Sequence, residues 1–107
     1  MEELQASQIL ITTPEKWDGI TRSYDTRAYV RDVSLVIIDE IHLLGVERGA
    51  VIEAIVTRLK IIGRTREKAN PVRIVGLSTA LANSMDIADW LGVPEVLMHL
   101  LKLAKHF

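Results

Sequence analysis

Two short β-branched runs constrain this chain more than any other feature. Residues 34–39 (Ser-Leu-Val-Ile-Ile-Asp) and 72–77 (Val-Arg-Ile-Val-Gly-Leu) have strand length. Between them, Val51, Ile52, Ile55, Val56, Leu59 and Ile62 recur at spacings of three and four, with Glu53, Thr57 and Lys60 opposite, which predicts an amphipathic helix over residues 50–62. Strand, helix, strand in that order predicts a parallel pair joined by a right-handed crossover. Residues 35–38 of the first run are all apolar, so it reads as a strand buried on both faces. It leads directly into Asp39, Glu40 and, two residues on, His42. In a parallel sheet the crevice beyond the carboxyl ends of the strands is where ligands bind.

The alternation extends to both sides. Residues 8–12 (Gln-Ile-Leu-Ile-Thr) predict a further strand, followed by a helix start at Thr13, Pro14, Glu15 and Lys16. Thr13 suits the N-cap, Pro14 loses nothing at the first helical position, and Glu15 favours the positive end of the dipole. That helix carries Trp17 and Ile20 inward. Charges then cancel across residues 15–32, which predicts a surface segment with a helical turn at 28–31. Gly63 reads as the C-terminal cap of the middle helix. Asn83 or Ser84 caps a third helix carrying Ile87, Ala88 and Leu91, stopped by Gly92-Val93-Pro94. A last helix is expected over residues 95–105, with a wide apolar face from Val96 through Leu100 and Leu103 to Phe107. Trp17 and Trp90 read as core anchors. The fold class is α/β: a parallel sheet with flanking helices.

Composition removes several function classes. No apolar run approaches the ~20 residues of a membrane span, and the start Met1-Glu2-Glu3 lacks the features of a signal peptide, so the expectation is an intracellular protein, nuclear or cytoplasmic. With no cysteine there are no disulfides or thiolate zinc sites, and His42, His99 and His106 are too scattered to form a metal cluster, leaving oxygen ligands for any metal. A net charge of −1 gives no global basic field. A local one exists in Arg58, Lys60, Arg64, Arg66, Lys68 and Arg73, opposed only by Glu67; it reads first as a solvated helix end and loop, and second as a phosphate-binding patch.

Two carboxylates at the end of a buried strand have the chemistry to hold a hydrated Mg²⁺ beside a phosphate, since that ion keeps several waters and takes only one or two protein carboxylates. The second acid can orient or deprotonate an attacking water, the division of labour in phosphoryl transfer. An acidic first turn for the next helical segment is the commoner reason for the same residues.

The order of three motifs separates these readings. Thr12-Thr13-Pro14-Glu15-Lys16-Trp17-Asp18, then Asp39-Glu40-Ile41-His42-Leu43-Leu44-Gly45, then Gly76-Leu77-Ser78-Thr79-Ala80-Leu81-Ala82-Asn83 resemble the motifs of Ski2-like superfamily 2 DExH-box helicases. The likeness continues through Glu47-Arg48-Gly49 and Asp89-Trp90-Leu91, covers residues 4–93, and is closest to the second cassette of the tandem-cassette members. It implies a partial RecA-like domain. By that resemblance Thr13, Pro14, Glu15 and Lys16 match the nucleic-acid-binding motif Ib. Asp39 matches the Mg²⁺-binding acid, Glu40 the acid that serves the hydrolytic water, and His42 the residue linking the nucleotide site to motif III. Ser78, Thr79 and Ala80 match the coupling motif III, in the order Ser-Thr-Ala where Ser-Ala-Thr is commoner.

What the resemblance does not find is equally informative. None of the six glycines precedes a lysine, so there is no phosphate loop, and the length does not accommodate a second RecA-like domain. Residues 1–94 are therefore expected to be the C-terminal part of the first RecA-like domain, and residues 95–107 a divergent amphipathic tail offering a surface for protein partners. The expected function is that of a fragment of an ATP-dependent RNA or DNA helicase, inactive alone, whose parent uses ATP and Mg²⁺, nucleic acid and the remainder of the cassette, with no membrane. A non-catalytic module binding nucleic acid or helicase partners, or a non-functional truncated product, are the other readings.

Overall fold

The computed structural model describes residues 6–42, 48–65, 71–79 and 83–93. Its elements run α1 (Pro14–Thr21), α2 (Ala28–Arg31), β1 (Leu35–Ile38), α3 (Gly49–Arg64), β2 (Arg73–Gly76) and α4 (Ser84–Leu91). The expected order is reproduced from α1 onward, with the α/β class and the parallel pair. Arg73 N–H donates to Ser34 O at 2.9 Å and Leu77 N–H to Ile38 O at 2.8 Å, so both strands advance four residues between bonds and run in the same direction.

The chain forms two compact units, one of Met1–Leu35 with Leu43–Arg73, the other of Val36–His42 with Ile74–Phe107. In the first, α1 packs on α3. Ile52, Ile55, Val56, Leu59 and Ile62 of α3 are buried, as its periodicity requires, together with Trp17 and Val30. In the second, Ile41, Ile74, Ala88 and Leu91 form the buried set. Gly76 of β2 makes that set possible: a Cβ placed there would lie 3.0 Å from Ile41 Cδ1 and 3.4 Å from Leu91 Cδ1. Gly92, at φ 80°, ends α4.

Four expectations change. Residues 8–12 form no strand, and Ile9 and Ile11 are 82% and 98% exposed, because the sheet contains only β1 and β2 and no neighbouring strand takes up this backbone among the described residues. For the same reason β1 is not buried on both faces: Leu35 and Ile37 are exposed while Val36 and Ile38 are half-buried. Gly63 is not a cap. It lies inside α3, buried where the chain returns, its ideal Cβ 3.3 Å from Val72 N, and the helix ends instead at Thr65. The segment over residues 15–32 is not all surface, since Asp18, Thr21 and Val30 are buried.

Asn83 takes the N-cap position of α4 without a side-chain capping bond. Trp17 is a core residue and Trp90 is half-buried. The helix expected over residues 95–105 and the basic residues Arg66 and Lys68 lie outside the described residues.

Strand propensity alone favours Gly76→Val, because valine suits a pleated, half-buried position. Packing opposes it. The branched side chain has to displace Ile41 and Leu91, and overpacking of this kind typically costs about 1–3 kcal/mol. A lowered urea midpoint with unchanged slope is the expected outcome; a raised midpoint would show that the close approach at Gly76 carries no weight.

Candidate active site

The acidic junction follows from an irregularity in the ladder. In regular parallel pairing a residue donates to one strand neighbour and accepts from the residue two positions further on. Leu77 N–H donates to Ile38 O, so Leu77 O is due to receive the N–H of Glu40. It receives that of Ile41 instead, at 2.9 Å. One extra residue is accommodated at the turn, and Glu40 takes a left-handed φ of 55°, a conformation costing about 1–2 kcal/mol for an L-residue. Its displaced N–H donates to Asp39 Oδ1 at 2.9 Å. Bulges of this kind re-aim side chains, here two exposed carboxylates at the carboxyl end of β1.

The turn then returns inward through buried Ile41, which seats His42. His42 Nε2 lies 2.9 Å from Glu40 Oε2, and His42 Nδ1 accepts from the backbone N–H of Thr79 at 3.4 Å. Ser78 Oγ donates to Thr79 O at 2.7 Å. Asp39, Glu40, His42, Ser78 and Thr79, separated by up to 40 positions in sequence, thus belong to one unit, and Glu40, His42 and Thr79 are linked in a row. Ala80 lies outside the described residues.

Among the described residues no three His, Cys, Asp or Glu side chains converge as a metal cage. The exposed carboxylate oxygens at this turn, with no imidazole or thiolate cage beside them among the described residues, have a donor chemistry that fits Mg²⁺ rather than a transition metal, because Mg²⁺ retains most of its water and completes its shell with phosphate.

The other group, Thr13, Pro14, Glu15 and Lys16, opens α1 in the first unit. Thr13 is the N-cap, with ψ 154°, and its Oγ1 accepts from Lys16 N–H at 3.3 Å. Trp17 N–H donates to Thr13 O, and Pro14 has no N–H, so Glu15 N–H is the donor left for a ligand in this first turn. Arg48 Nε pairs with Glu15 Oε1 at 3.2 Å, offsetting the acid's charge at the helix entrance.

A polar cluster behind this helix start was not legible as such. Arg58 Nη1 donates to Asp18 Oδ1 at 2.8 Å, to Asp18 O at 3.2 Å and to Thr21 Oγ1 at 2.7 Å, joining α3 to α1, while Arg22 pairs with Asp18 Oδ2 at 2.7 Å. Arg22 first, then Arg58, hold the Asp18 carboxyl below the usual carboxylate range. One signal was available. Arg58 stands three residues after Ile55 and four before Ile62, on the apolar face of α3, where a cation needs a partner.

The model of the DEAD/DEAH box helicase family matches residues 1–87. The chain belongs to that family. Proteins similar to it include activating signal cointegrator 1 complex subunit 3 of Rattus norvegicus, 55% identical over 96 residues, which is 90% of this chain and 4% of the relative. Another is the DExH-box ATP-dependent RNA helicase DExH14 of Arabidopsis thaliana, 58% identical over 93 residues, 87% of this chain and 4% of the relative. The Dictyostelium discoideum form of the cointegrator subunit is 51% identical over 96 residues. The chain therefore spans about 4% of the length of these relatives, while the residues matched by the family model, 1–87, include all three motifs read from its sequence.

A carboxylate whose folded pKa lies below its unfolded value contributes stability that is complete above the unfolded pKa and is lost as pH falls through the folded one. Asp18→Asn is accordingly expected to lower stability at pH 7 and to flatten its decline as pH falls below the ordinary carboxylate range. Arg58→Met, which removes charge-assisted hydrogen bonds, is expected to cost about 1.5–3 kcal/mol at pH 7. Urea midpoints across pH check both; parallel pH curves for wild type and Asp18→Asn would remove Asp18 from the account.

Proposed function

We propose that this chain supplies the hydrolytic acids and one nucleic-acid contact of an ATP-dependent helicase, and that it is inactive by itself. The observation that carries this reading is the bulged turn that exposes Asp39 and Glu40 while tying Glu40 through His42 to Thr79. A merely acidic helix start needs neither the left-handed residue nor the link.

Asp39 holds its carboxylate in solvent at the strand end, where it can accept hydrogen bonds from the water shell of a cation. Bound Mg²⁺ supplies neutralisation of phosphate charge. Glu40 acts as the base: Oε2 is held by His42, leaving Oε1 to take a proton from the attacking water. Ser78, Thr79 and Ala80 couple the nucleotide site to movement elsewhere in the parent. In the first unit, Glu15 N–H, the Thr13 hydroxyl and the Lys16 ammonium form the contact to a backbone phosphate. The name of the Arabidopsis relative makes RNA the first nucleic acid to test.

The remainder of the cassette is the required partner, and residues 95–107 offer a further protein contact. Among the described residues no helix is long and apolar enough to cross a membrane, and an intracellular site, nuclear or cytoplasmic, accords with the proposed activity. The reading as a non-catalytic nucleic-acid module loses support because Arg58, the first cation of the basic group, is committed to Asp18 and Thr21.

Residues 6–93 exchanged for the matching segment of the Arabidopsis helicase are expected to give RNA-stimulated ATP hydrolysis. Glu40→Gln in that chimera is expected to lower turnover roughly 10²–10⁴-fold, the range for losing a general base, with ATP binding retained. Undiminished turnover removes Glu40 from its role. The 107-residue chain alone is expected to show no hydrolysis of Mg-ATP above background, with or without RNA.

A further inference from the structure

We propose that Thr79 positions Glu40 through its backbone amide, by fixing the tautomer of His42, so that the side chain at position 79 is not needed for this link. The proposal rests on reading Asp39, Glu40 and His42 as the helicase acidic box. A backbone N–H can only donate, so the Thr79 contact at 3.4 Å requires a lone pair on His42 Nδ1. The neutral imidazole then carries its proton on Nε2, the nitrogen 2.9 Å from Glu40 Oε2, and an ionised carboxylate can only accept. The two contacts are mutually consistent in one tautomer and incompatible in the other. Donor and acceptor roles therefore run in one direction: Thr79 N–H to Nδ1, Nε2–H to Glu40.

The route tolerates the order Ser-Thr-Ala as readily as Ser-Ala-Thr. The link uses a group that every residue except proline possesses, so exchanging the second and third side chains leaves it intact. The residue preceding Thr79 adds a neighbouring restraint, since Ser78 Oγ donates to Thr79 O at 2.7 Å, on the carbonyl side of the residue whose N–H makes the link. Half-burial of His42, whose side chain is 21% exposed, limits competition from water for both nitrogens. Thr79 is thus a positioning residue acting through His42.

The test uses the full chain labelled with ¹⁵N on histidine, at a pH where the imidazoles are neutral. Long-range ¹H–¹⁵N correlation distinguishes the protonated from the bare ring nitrogen of His42. Wild type and Thr79→Ala are expected to show the Nε2–H tautomer alone, whereas Thr79→Pro, which lacks the amide proton, is expected to show a mixture of both. An Nδ1–H tautomer in the wild type overturns the proposal, and this reading stands whether or not Thr79→Pro folds. Equal loss of the fixed tautomer in Thr79→Ala and Thr79→Pro assigns the link to the hydroxyl and also overturns it. Tautomer fixation without any effect of Glu40→Gln on turnover in the chimera would instead overturn the functional reading while leaving this link in place.

Discussion

The pairing of Leu77 with both Ile38 and Ile41 governs this molecule's chemistry. Those two hydrogen bonds bracket Asp39 and Glu40, so the acids are placed by backbone bonds on either side. A strain of about 1–2 kcal/mol at Glu40 persists because the bracket over-determines it. Gly76 and Leu91 complete the arrangement from below. The space left by the missing side chain of Gly76 admits Ile41, and the burial of Ile41 holds the turn inward so that His42 reaches both Glu40 and Thr79.

In the first unit the corresponding anchor is electrostatic. Arg58, with its side chain largely removed from water, makes three contacts to α1 through one nitrogen, two of them to Asp18. Truncating one partner of such a pair costs more than the pair contributes, because the other charge remains desolvated. The cluster thereby links the apolar face of α3 to the helix whose first turn bears Thr13 and Lys16. The orientation of that turn depends on residues that never approach its surface.

Much of this was legible in the residues. The periodicity of α3, the cap and proline of α1, and the order of elements were all readable because each rests on local chemistry: spacing on a helical face, a hydroxyl before a proline, β-branched runs. What was not readable depends on non-local pairing. Residues 8–12 have strand character but no neighbour in this sheet, and Leu35 and Ile37 are apolar but uncovered. Asp18 looked like one of several self-cancelling surface charges until α3 brought Arg58 to it. Gly63 carried the signature of a helix cap, whereas its need is for close approach to Val72. At the acidic turn the residue types announced the chemistry, while the extra residue in the ladder was invisible in sequence.

That extra residue makes chain length at the turn as restrictive as residue identity. Removing one position between Ile38 and Ile41 would let the ladder run on regularly, reversing which side of the strand every later side chain faces until the helical turn begins. Adding one would detach Ile41 from Leu77 altogether. Exchanges of side chain can be graded and partly tolerated, but a change in count cannot. Among sequences that keep this chemistry, the interval from the last strand residue to His42 should therefore admit substitutions and no insertions or deletions.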